Sequence, residues 1–253
     1  MTDTHIEGKG TMKYARFRVK SSDKVFSGQL LENRVKNKAG KTFRLDQVTL
    51  LAPVIPGKII CVGKNYLEHA KEFGGDVPEK PLLFYKPPSA LNNPQSPIRL
   101  PASARVDYEG EIAVVIGKRC KDVPQAKAAD VIWGYSCFND VSDRQAQGWE
   151  GNWVRAKGFD TSACLGPVIA TADELQDPIE VVTRVNGELK QRGNSFQLAF
   201  SIPFLIETVS SIMTLERGDV IATGTPAGVG PLQSGDVVEV QIKGIGILRN
   251  TVL

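Results

Sequence analysis

The segment from Asp107 to Lys118 (DYEGEIAVVIGK) constrains this chain more than any other. It is the clearest strand in the sequence, and its character changes along its length. Strand side chains alternate faces, so Asp107, Glu109 and Glu111 project to one side, with Tyr108, Ile112 and Val114 mostly on the other. Beyond Glu111 both faces are apolar, which carries the strand into a core. Two glutamates at i and i+2 repel each other. Burying them as bare anions costs several kcal/mol each unless positive charge compensates. No Lys or Arg lies within the strand before Lys118. One solution is a hard divalent cation, Mg²⁺ or Mn²⁺, which takes oxygen ligands and keeps open positions. Asp140 is the best third ligand, because it follows the apolar YSCF run and so stands at the end of a core strand. The pattern by itself leaves a second reading standing, an edge strand with both glutamates in water.

The surrounding segments give a strand-dominated α+β chain without the regular βαβ alternation of a dinucleotide-binding fold. Residues 1–11 are polar and aperiodic and read as a disordered leader, with Met12 a possible start. Residues 12–55 carry three short β-rich segments between turn clusters, a small N-terminal module. Residues 56–253 form the main domain. There KIICVG is a buried strand, and NYLEHAKEFGG a helix that Asn65 caps and Gly74-Gly75 ends. The proline-rich stretch 78–101 is extended or looped. DVPQAKAADVIWG reads as a helix, YSCFND as a strand and VSDRQAQ as a helix start or loop. Five further strand segments and one helix, PFLIETVSSIM, complete the chain. Gly-Asp pairs at 218–219 and 235–236 each launch a strand.

Composition narrows the function. Net charge is +3 over 253 residues with Lys and Arg scattered, so no nucleic-acid footprint is present. No apolar run approaches the ~20 residues of a membrane span and no signal peptide opens the chain, which makes the cytoplasm the default location. The four cysteines form no CxxC pair and read as free thiols, three of them (Cys61, Cys137, Cys164) in apolar surroundings. His5 and His69 are the only histidines, which argues against zinc and leaves His69 as the one imidazole placed for chemistry. His69 and Glu72 share a helix face at i and i+3, as a surface pair or as a base with its orienting carboxylate. Lys64 and Lys86 flank the proposed site, either steering an anionic substrate or carrying surface charge. Tyr66 reads as packing within the same helical segment. The TGTPAGVG segment lacks the Gly-Lys-Ser/Thr ending of a Walker loop; it reads as a tight loop whose N–H groups and Thr225 hydroxyl receive a carboxylate.

Taken together, ICVGKNYLEHAKE, LFYKPPSALN, VDYEGEIAVVIGK, FNDVSDRQAQ, RAKGFDTSACLGP and ATGTPAGVGPL resemble the fumarylacetoacetate hydrolase family in order and spacing, over residues from about 12 to 253. The resemblance implies a mixed β-sheet roll and a divalent metal (Mg²⁺, Mn²⁺ or Ca²⁺) on Glu109, Glu111 and Asp140. It implies substrate contacts from Arg144, Gln147 and Thr225, and catalysis by His69, Glu72 and Lys157 beneath a lid helix that closes over substrate. Where some members carry a further aspartate, this chain has Asn65. The implied activity is hydrolysis of a C–C bond in a β-diketo acid such as acetylpyruvate or fumarylpyruvate, through an enolate of a small 2-keto acid. Oxaloacetate decarboxylation and isomerisation of 2-hydroxyhepta-2,4-diene-1,7-dioate use the same enolate. A homodimer and a place in aromatic compound breakdown are implied as well.

Overall fold

The computed structural model describes residues 12–175 and 177–253; the expected leader at 1–11 lies outside them. The chain is β-dominated, as expected. A twelve-stranded sheet carries the main path Thr42–Arg44, Arg34–Asn37, Val25–Leu31, Lys13–Val19, Ala163–Ala170, Ile132–Asp140, Gly110–Ile116, Val220–Ala222, Ile59–Gly63 and Leu82–Lys86. Two short strands, Val48–Leu51 and Leu91–Asn92, pair off this path. The sheet is mixed: Val220–Ala222 runs parallel to Ile59–Gly63, while Gly110–Ile116 is antiparallel to both its neighbours. The N-terminal strands join the main sheet through Lys13–Val19, which pairs with Ala163–Ala170.

A four-stranded sheet (Glu188–Asn194, Glu180–Val185, Val237–Ile242, Gly246–Thr251) packs on one face of this framework through Val181, Val238 and Leu248. The helix Ile202–Ile212, capped by Ser201, packs Leu205, Ile206 and Val209 against Ile60, Val114 and Ile221 of the large sheet. Gly110–Ile116 therefore lies between covered faces and is buried along its whole length. This is why its sequence turns apolar on both sides. Cys61, Cys137 and Cys164 are buried free thiols, and burial pushes those of Cys137 and Cys164 up to about 12.

Two local expectations change, and one strand is added. DVPQAKAADVIWG forms a 3₁₀ helix, Gln125–Val131, because the next strand begins at Ile132 and leaves no room for a longer helix. Asn65 does not cap the following helix, which spans Leu67–Glu72 with Tyr66 at its N-cap. Its amide instead donates to the carbonyls of Thr223 (2.8 Å) and Phe200 (3.1 Å) and accepts from Phe200 N (2.7 Å), tying three segments together. The strand Glu188–Asn194 was not anticipated from the sequence. Its signal is Asn186-Gly187, whose φ values of 53° and 83° suit a two-residue hairpin turn.

Gly134 marks where Ile132–Asp140 crosses Ala163–Ala170. A Cβ there would stand 2.2 Å from the Ala170 carbonyl oxygen. Gly134→Ala is expected to cost about 2 kcal/mol or more, a fall in Tm of roughly 4–8 °C by thermal unfolding. An unchanged Tm would show that the two strands can separate without penalty.

Candidate metal centre and active site

Strand register assembles the site. Gly110 pairs with Asn139 and Glu111 with Phe138, so the end of Ile132–Asp140 lies beside the start of Gly110–Ile116. Asp140 N donates to Glu109 O at 2.9 Å. Glu109, Glu111 and Asp140 thereby converge, with candidate ligand oxygens all within 4.8 Å of one another. All three residues are buried.

The positive charge absent from the strand arrives from elsewhere in the chain. Lys157, ending the short helix Val154–Lys157, places Nζ 2.8 Å from Glu109 Oε2 and 2.8 Å from Asp140 Oδ2. Lys86 is neither surface charge nor a free steering group: it is buried, with Nζ 2.6 Å from Asp140 Oδ1 and 3.0 Å from Val141 O. Arg144 bridges Glu109 and Asp107, and Arg105 forms a second pair with Asp107 at 2.9 Å. Burial alone would raise the Glu109 carboxyl, but Lys157 and Arg144 outweigh it and hold the group well below the usual range. Lys157 follows the same logic in reverse: burial opposes its charge, Asp140 and Glu109 restore it, and its pKa is raised.

Glu111 is the exception. It accepts from the Gly224 N–H at 2.8 Å, and among the described residues no cation is bonded to it. Burial, then Asp140 and Glu109, push its carboxyl well above the ordinary value. A dication on the trio would supply the missing charge, and an all-oxygen donor set suits Mg²⁺ or Mn²⁺. These residues fit a divalent metal.

The backbone between the two glutamates is held from both sides. Gln191, which sequence reasoning missed, accepts from Gly110 N at 3.0 Å and donates to Thr225 Oγ1 and Pro226 O, both at 2.7 Å. Thr225 in turn donates to Gly110 O at 2.9 Å. Its hydroxyl proton is thus committed to the backbone, although the residue still lines the cavity. Only glycine fits at 110, because a Cβ would lie 1.9 Å from Thr183 Oγ1.

Above the carboxylates lies a cavity of about 250 Å³, lined by Glu109, Glu111, His69, Arg144, Gln147 and Lys157 among others. His69 is buried, with Nδ1 3.1 Å from Glu72 Oε2. The other Glu72 oxygen accepts from Gly228 N at 3.1 Å, which fastens the helix over the cavity. Phe73 joins the two sides, its ring 5.0 Å from that of His69 and 4.7 Å from the Arg144 guanidinium. Gln147 accepts from Arg144 Nη1 at 2.9 Å, and its amide N–H groups have no acceptor among the described residues. Tyr66 is buried in the core with an unpartnered hydroxyl. Seven of the nine sequence-predicted site residues line this one cavity, while Asp140 lies beside Glu109 and Glu111, and Glu72 stands behind His69.

Comparison with known proteins identifies the family. The family model for the fumarylacetoacetate (FAA) hydrolase C-terminal region matches residues 58–253. Oxaloacetate tautomerase YisK of Bacillus subtilis is 42% identical over 225 residues, covering 83% of this chain and 75% of that protein. The crystal structure of 5-carboxymethyl-2-hydroxymuconate delta-isomerase from Mycobacterium smegmatis shares 44% identity at a TM-score of 0.87, covering 96% of this chain and 98% of that one. Maleylpyruvate hydrolase from Sphingobium sp. SYK-6, solved with manganese(II) and pyruvate, shares 32% identity at a TM-score of 0.80, over 96% and 99% of the two chains. This chain belongs to the fumarylacetoacetate hydrolase family. The three relatives are enzymes of different reaction types, a tautomerase, an isomerase and a hydrolase. Among the described residues, no helix is long and apolar enough to cross a membrane.

Glu111→Gln removes the one anion of the trio that lacks a cation partner. The metal-free variant is expected to unfold at a higher temperature than the metal-free parent, and to lose the Tm increase that Mn²⁺ gives the parent. Lower stability without metal, with the Mn²⁺ response intact, would refute this account of the site.

Proposed function

We propose that this protein is a divalent-metal-dependent enzyme that moves a proton at the carbon beside the keto group of a small 2-keto acid. The observation that carries this reading is the placement of His69, backed by Glu72, in the cavity above the carboxylate trio. A carboxylate accepting from Nδ1–H selects the tautomer whose Nε2 carries the lone pair, the form a general base needs. The cation held by Glu109, Glu111 and Asp140, Mg²⁺ or Mn²⁺, would act as a Lewis acid on the keto acid when bound.

The chain's own residues supply the rest. Gln147 offers its free amide N–H groups to a substrate oxygen. Arg144 keeps two of its five N–H donors beyond its bonds to Asp107, Glu109 and Gln147. Lys157 has its three donors committed to Glu109, Asp140 and Ser142. It contributes positive charge near the developing enolate rather than a free hydrogen bond. The Leu67–Glu72 helix, fastened through Glu72, shields the reacting carbon from bulk water.

The relatives' names support enol chemistry, since a tautomerase and an isomerase both shift a proton. A second reading is hydrolytic cleavage of an acylpyruvate. The His69–Glu72 pair favours it, because the same base can activate a water, and the likeness to maleylpyruvate hydrolase supports it. In that case the water attacks the distal carbonyl, and the bond to the pyruvate unit breaks to leave its enolate.

His69→Ala is expected to slow enol–keto interconversion of oxaloacetate by about 10²–10⁴-fold while metal content stays unchanged. The ultraviolet absorbance of the enol follows this reaction, and the same variant should be tested with acetylpyruvate. Full activity of His69→Ala on both compounds would remove the base from the mechanism.

A further inference from the structure

One cation lining the cavity has no partner among the described residues. The cationic residues there are Lys64, Arg144 and Lys157. Arg144 is bonded to Asp107, Glu109 and Gln147, and Lys157 to Glu109, Asp140 and Ser142. The Lys64 ammonium has no carboxylate or other hydrogen-bond partner among the described residues, although it is half-buried.

Its backbone is unusual as well. Lys64 takes φ 54°, a left-handed conformation that costs a non-glycine residue free energy and persists where the surroundings enforce it. Here they do. Gly63 is paired with Leu82 at the strand end, and the Asn65 amide is held by Phe200 and Thr223. Between these two anchors the chain turns sharply at Lys64. The side chain reaches Gly75, just beyond the His69 helix, where a Cβ would stand 3.4 Å from Nζ. The ammonium thus sits where the covering segment meets the cavity.

We propose that Lys64 receives a second carboxylate of the substrate, which makes 2-keto dicarboxylates the substrate class. This rests on the reading of the cavity as a 2-keto acid site. The keto acid end belongs at Glu109, Glu111 and Asp140, and Gln147 and Arg144 serve that end. A monocarboxylic substrate would leave the Lys64 charge half-buried and unpaired under the covering helix. A dicarboxylate gives it a charge-assisted hydrogen bond and fixes the orientation of the chain between the two ends.

Titration calorimetry of the manganese-loaded protein with 2-oxoglutarate and 2-oxovalerate tests this, since the two differ only in a terminal carboxylate against a methyl group. The parent protein is expected to bind 2-oxoglutarate about tenfold more tightly, a difference of about 1.4 kcal/mol. Lys64→Met should abolish that preference while leaving 2-oxovalerate binding unchanged, and Lys64→Arg should retain most of it. Equal binding of both acids by the parent would overturn the assignment of Lys64 alone. So would a Lys64→Met variant that weakens both acids by the same factor. Failure of the parent to bind either acid would overturn the 2-keto acid reading and the Lys64 assignment together.

Discussion

The structure depends on the compensation of a buried carboxylate cluster. Glu109, Glu111, Asp140 and Asp107 lie at the heart of the protein with almost no access to water. Isolated anions there would not survive ionised. Lys86, Lys157, Arg144 and Arg105 meet three of them, and their distribution is uneven. Asp140 takes two ammonium groups, while Glu109 shares a guanidinium with Asp107. Glu111 takes only a backbone N–H. That imbalance suits the site to a dication, because the missing charge is localised at one carboxylate beside two others.

The sheet supplies the rigidity this cluster needs. Antiparallel pairing sets Asp140 beside Glu109, and bonds from Gln191 and Thr225 grip the peptide groups of Gly110 on both sides. Gly110 sits directly beneath Thr183, so the four-stranded sheet presses on the strand where the two glutamates diverge. The placement of the two glutamates is thereby fixed by backbone hydrogen bonds. A site built on strands in this way holds its shape more closely than one built on loops.

The covering element is built differently. The Leu67–Glu72 helix is six residues long and has no side-chain cap, so it has little stability of its own. It is held by Glu72 on Gly228 and by Phe73 between His69 and Arg144. The residue that orients the imidazole is thus also the residue that fastens the helix. The position of the helix and the orientation of the imidazole are tied through one side chain.

Much of this was written locally in the sequence. The alternation of carboxylates along one strand face, the apolar run behind them, Asp140 after a core strand and the His69–Glu72 spacing all follow from periodicity, which a linear sequence displays. The same is true of the strand-dominated architecture and the free thiols. The partners of the carboxylates were not legible in this way. Lys86 stands 54 residues from Asp140 and Gln191 stands 81 from Gly110, and no local pattern marks either one. Lys86 reads equally well as surface charge, and Asn65 as a helix cap, until the fold packs neighbours around them. Strand register and sheet packing decide which distant side chains meet. The sequence by itself determined that carboxylates would stand at the edge of a core; only the tertiary structure decided which cations answer them, and which carboxylate is left without one.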